Sequence, residues 1–91
     1  MKSFEDILRV ADDILRDAFR EIDPALVALA LKTATPLLKV KFFRNMSERD
    51  AGLLKERMQA MGAVRLDDVV EAQHVISAVV FTLEDERREG D

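Results

Sequence analysis

One histidine, His74, is the residue best suited to proton transfer in this chain, and it stands alone. A catalytic imidazole needs a nucleophile or an orienting acid placed beside it, and no spacing around Gln73-His74-Val75 supplies either. There is no cysteine, so thiol nucleophiles, thiolate zinc sites and disulfides are excluded, and one histidine cannot form a histidine-based metal site. Carboxylates are plentiful, but each can serve as a helix-start charge or an (i, i+4) partner. No glycine loop cradles a phosphate and no Gly-x-Ser-x-Gly turn occurs. The chemistry left is that of charged surfaces.

Two runs offer such surfaces. Lys39-Val40-Lys41-Phe42-Phe43-Arg44 mixes basic and aromatic residues, as RNA-binding surfaces do. Leu38, Phe42 and Met46 recur every four residues there, however, which makes them a core stripe. Lys41 and Arg44 then fall near a helix C-terminus, where the helix dipole favours cations. In Glu48–Met61, helical spacing turns Ala51, Leu54, Met58 and Met61 inward. It leaves Glu48, Arg49, Gly52, Glu56, Gln59 and Ala60 on the opposite face. Arg49 and Glu56, seven residues apart, form a solvent-facing ridge, and Arg57 flanks it.

The elements that position these residues are legible from helix punctuation. Asp23-Pro24 and Thr35-Pro36 each read as an N-cap followed by proline at the first helical position. Ser47-Glu48-Arg49-Asp50 resembles a capping box, and Gly62 marks a helix stop. These signals predict helices over Phe4–Arg9, Asp12–Ile22, Pro24–Lys32, Pro36–Asn45, Glu48–Met61 and Asp67–Glu86. Val75–Thr82 is β-branched enough to pass for a buried strand. The stripe Val69, Ala72, Ile76, Val79, Val80 and Leu83 assigns it to helix instead. Glu84–Asp91 is polar and is expected to fray. The fold class is all-α, a compact bundle of about six short helices forming a single domain over residues 1–91.

Composition agrees. Ninety-one residues suit one small domain, and 48% hydrophobic with 35% charged residues suits a folded chain. A net charge of −4 opposes nucleic-acid binding. The longest apolar run, Ala25–Leu31, is far below the roughly 20 residues of a membrane span. No secretory signal begins the chain, so a cytoplasmic location is expected.

Five stretches carry a family likeness. They are Phe4-Glu5-Asp6-Ile7, Leu29-Ala30-Leu31-Lys32, Lys41-Phe42-Phe43-Arg44-Asn45-Met46-Ser47, Leu53-Leu54-Lys55-Glu56, and Val64-Arg65-Leu66-x-Asp68-Val69-x-Glu71-Ala72-Gln73. In order and from about Phe4 to Gln73, they resemble the C-terminal domain family of the flagellar motor switch protein FliG. The resemblance implies a six-helix bundle whose first residues, 1–10, adjoin a hinge and whose residues 84–91 form a polar tail. It implies a non-catalytic torque-coupling module without cofactor or metal, which presents charges to the cytoplasmic loop of the stator protein MotA. The charges it implies are Lys32, Arg49, Glu56, Arg57 and Arg65. FliM and neighbouring FliG subunits are the other implied partners, at the rotor face beside the inner membrane. Arg57 stands where the family has a second acid, and Ala63 where it has proline. Such proteins also carry two further regions that 91 residues cannot hold, so the sequence reads as an excised domain or a stand-alone relative. An alternative is a helical adaptor outside the flagellum that keeps the fold but uses an apolar groove or end to bind partners or itself.

Overall fold

The structure, a computed structural model, describes residues 2–90; Met1 and Asp91 lie outside the described residues. The chain begins with a 3-10 helix, Phe4–Arg9, and continues through α1 (Asp12–Phe19) and α2 (Pro24–Ala30). A 3-10 turn, Leu31–Thr33, leads to α3 (Pro36–Arg44), α4 (Glu48–Ala60) and the long α5 (Leu66–Gly90). The six expected helices are therefore present, the first of them in the tighter 3-10 form.

The N-cap residues act where the sequence puts them, although among the described residues the Asp50 carboxylate takes no return bond from the Ser47 N–H to complete the expected capping box. Asp23 accepts from the Ala25 N–H at 2.8 Å, Thr35 from Leu38 at 3.4 Å and Ser47 from Asp50 at 3.0 Å. Each satisfies a donor the helix cannot reach. Gly62 turns the chain after α4 with φ +64, a left-handed conformation that costs a side-chain-bearing residue about 1–2 kcal/mol.

Three boundaries differ from expectation by more than one residue, each for a local reason. The second helix stops at Phe19 rather than Ile22, because the Arg20 and Glu21 N–H groups reach back only three residues, to Asp17 and Ala18. That tightening lets Asp23 adopt the extended backbone that a following proline requires. The third helix gives way at Leu31 to a 3-10 turn, and Thr35 before Pro36 is again extended. The last helix does not fray at Glu84; it runs to Gly90. Arg87 pairs with Asp13 at 2.8 Å and also with Asp17, both on α1, while Glu84 takes Lys2 at 2.7 Å.

The core forms around α2, which packs chiefly on α5 and α4. Phe42 is fully buried, its ring 5.8 Å from that of Phe4 and 5.4 Å from that of Phe19. From α5, Val69, Ala72, Ile76 and Val80 are buried, so the β-branched stretch is one face of a helix. Leu38 is buried with Phe42 on α3, as its spacing requires, and Met46 packs against them from just beyond the helix.

Lys41 lies in the last turn of α3, as expected, but is buried there, only 6% exposed. Its ammonium donates to the Leu8 carbonyl at 2.9 Å and to the Val10 carbonyl, so it caps the end of the first 3-10 helix from across the core. Burial pulls its pKa below the ordinary lysine value, against the pull of the Asp12 carboxylate 3.9 Å away. Asp12 is itself held by the Asn45 amide at 3.1 Å and the Arg44 guanidinium at 3.1 Å. Asn45 completes the network by accepting from Arg16 at 2.9 Å.

Candidate functional site

The two faces of α4 are as unlike as its sequence requires. Ala51 and Leu54 are buried, and Met58 and Met61 are half-buried against the core. Glu48, Arg49, Gly52, Glu56, Gln59 and Ala60 are exposed opposite them. The helix is anchored at both ends, by Ser47 at its start and by Lys32 at its finish. The Lys32 ammonium donates to the Met58 carbonyl at 3.4 Å, satisfying an acceptor of the last turn.

The five residues singled out by sequence thus divide. Arg49, Glu56 and Arg57 lie along the exposed side of α4, and Arg65 is exposed where the chain enters α5. Among the described residues none of these four side chains makes a hydrogen bond or salt bridge. Lys32 is half-buried and holds α4 in place as well as contributing charge. The structure therefore brings Lys32 to the α4 end of the ridge.

Beside the ridge runs a groove of about 470 Å³ between α4 and the α1–α2 corner. Its floor is apolar and Arg57 stands on its rim. An apolar groove figured in the adaptor alternative, but sequence reasoning could not place it, because its walls come from three elements whose approach no local period encodes. Lys41 and Asn45 were missed for a related reason: a lysine one residue before a core phenylalanine lies at the edge of the apolar arc, where it can turn inward. Only the partner elements decide that it does.

His74 is exposed on α5, at the edge of a shallow depression that also borders Phe4, Ser77 and Phe81. The Ser77 hydroxyl is buried there without a partner among the described residues. No group of three His, Cys, Asp or Glu side chains able to hold a metal stands together among the described residues. No described helix is long and apolar enough to cross a membrane.

Known proteins share the sequence pattern and the fold. The sequence profile of the FliG C-terminal domain matches residues 1–88. The chain is 49% identical over 82 residues to the flagellar motor switch protein FliG of Thermotoga maritima, a match spanning 90% of this chain and 24% of that protein. It is 40% identical over 85 residues to FliG of Helicobacter pylori, spanning 93% of this chain and 25% of that one. Among solved structures, a crystal structure of H. pylori FliG superposes with a TM-score of 0.89 at 40% identity, covering 94% of this chain and 41% of that chain. Full-length FliG of Aquifex aeolicus superposes with a TM-score of 0.90 at 32% identity, covering 94% of this chain and 27% of that chain. The chain thus spans about a quarter of the length of the relatives it matches.

Proposed function

This chain belongs to the FliG C-terminal domain family, and from that premise we propose that it is a rotor-side torque-coupling module of the flagellar motor switch complex. In this reading the ridge of Arg49, Glu56 and Arg57, with Lys32 and Arg65 at its flanks, meets the cytoplasmic loop of the stator protein MotA. The module works from the cytoplasm, peripheral to the inner membrane at the basal body, alongside FliM and neighbouring FliG subunits. Its action is non-catalytic.

The observation that carries the reading is the state of the ridge charges. They are exposed and, among the described residues, unpaired, on a helix whose other face is fixed in the core. Exposed ion pairs contribute about 0–1 kcal/mol each, so contacts with a passing partner can form and break at every step. A buried pair could not cycle in this way, because removing one partner strands a desolvated charge at a cost of about 3–5 kcal/mol. Screening over roughly 8 Å at physiological salt confines each contact to the passing site.

Charge reversal at the chromosomal locus tests the proposal. Arg49→Asp and Glu56→Lys should each impair swimming while leaving flagellar number and the folded state unchanged. Normal swimming with both reversed, in protein shown by circular dichroism to be folded, would refute the coupling role.

A further inference from the structure

The groove beside α4 combines three properties that the ridge charges do not explain. Its floor is apolar, with Phe19, Ile22, Val27 and Leu54 beneath it. Its lip exposes a large apolar side chain, Leu53, at 52% of its surface. Its charged rim consists of Arg16, Arg20 and Arg57 against the single carboxylate of Asp50, a local balance of +2 on a chain whose total is −4. Arg20 has only a distant 4.0 Å contact with Asp17, and Arg57 is unpaired among the described residues. Three guanidinium groups therefore border an apolar trough.

From this geometry we propose that the groove docks an acidic amphipathic helix of a partner protein, its apolar stripe in the trough and its flanking carboxylates on Arg16, Arg20 and Arg57. The volume, about 470 Å³, falls in the range of pockets that receive bulky apolar groups, roughly 300–1,000 Å³. A helix laid in a groove offers apolar anchors at i, i+3, i+4 and i+7, which suits an apolar floor contributed by several elements. Guanidinium groups bind carboxylates as planar forks, so they select acidic flanks over neutral ones. An apolar floor beneath the guanidinium groups suits a partner that sets an apolar stripe beside its carboxylates, which a phosphate backbone lacks. The groove shares Arg57 with the ridge, yet it needs neither a stator nor a motor to be occupied.

Binding is measured on the 91-residue chain with fluorescein-labelled peptides of about fourteen residues, by anisotropy and by amide shifts in ¹⁵N spectra. The probe carries Leu and Phe at i, i+3, i+4 and i+7 and Glu elsewhere. One comparison peptide replaces Glu with Lys, and another replaces Leu and Phe with Ala. The Glu peptide should bind, shifting amides around Met46, Leu53 and Arg20, while both comparison peptides bind at least tenfold more weakly. Arg57→Asp and Leu53→Glu should each weaken it at least tenfold with unchanged circular dichroism. Equal binding of the Glu and Lys peptides, no binding of the Glu peptide, or full binding by both variants would overturn the proposal. So would a concentration-dependent dimer abolished by Leu53→Glu, which assigns the groove to a second copy, or adsorption to phosphatidylglycerol vesicles through the same residues. Each of these results leaves the swimming test of Arg49 and Glu56 unaffected.

Discussion

Replacing Lys41 with methionine keeps the length of the side chain and removes its charge and its donors. Two carbonyls then lose their partner, those of Leu8 and Val10. Val10 is buried, and an unsatisfied buried acceptor costs about 1–3 kcal/mol. Leu8 is 38% exposed, so its carbonyl can recruit water at smaller loss. Against this, methionine escapes the desolvation that pulls the Lys41 pKa down, and it forgoes only a 3.9 Å contact with Asp12, which keeps Arg44 and Asn45. The balance is a net loss of roughly 2 kcal/mol. In a domain of this size that lowers Tm by about 8–16 °C. Thermal and urea melts followed by circular dichroism measure it, with Lys39→Met on the same helix as the control. A Tm within about 2 °C of the parent, or above it, would refute the reasoning. It would mean that the ammonium gains nothing over its cost of burial and that the first 3-10 helix is held by its other contacts, the buried Phe4 and Ile7 and the Glu5–Thr35 hydrogen bond.

Three further outcomes are expected. Gly62→Ala should cost about 1 kcal/mol in urea melts and Gly62→Asn clearly less, because no atom lies within 4 Å of an added Cβ and only the positive φ resists it; a neutral alanine variant would show that the turn relaxes. Asp12 is held below its ordinary value of 3.8 chiefly by the Asn45 amide and then by Arg44, and Asp6 chiefly by the Ser3 backbone N–H. Folded values below unfolded ones give stability that is complete above about pH 4 and lost as pH falls further; Asp12→Asn should therefore flatten the acid limb of a stability–pH curve, and parallel limbs would sink the assignment. Arg57→Asp should change folding stability by about 0.5 kcal/mol or less while impairing swimming, since Arg57 is exposed and unpaired among the described residues; a large stability loss would place Arg57 in the structural framework.

What could be read from sequence was what local rules encode. Proline after Asp23 and Thr35, serine at 47 and glycine at 62 each act on their own backbone within a turn, and each does so in the structure. The inward and outward faces of α4 likewise follow from a period of 3.6 residues. Helix ends were less legible, because a tightened last turn such as Arg20–Glu21 depends on how the chain must enter the next element. Contacts distant in sequence were not legible at all. Arg87 meets α1, and Lys41 meets carbonyls thirty-odd positions earlier, only because the packed helices bring them there. Glu84–Gly90 looks like a fraying tail for that reason: the acids that hold it belong to α1.

The charges that hold the fold and the exposed charges of α4 are separate sets, and the separation has a physical consequence. Asp12, Arg16, Lys41, Arg44 and Asn45 form one network, while Lys2, Glu84, Arg87, Asp13 and Asp17 tie α5 to the N-terminal elements. Neither set includes Arg49, Glu56, Arg57 or Arg65. A sign change on α4 therefore strands no buried partner, and its energetic effect is limited to weak, screened surface terms. On the proposed reading, coupling to a stator could be retuned one charge at a time without loss of the fold. Lys32 is the exception, because its ammonium also caps α4 at Met58. Among the five ridge positions it is the one where loss of charge and loss of stability are bound together.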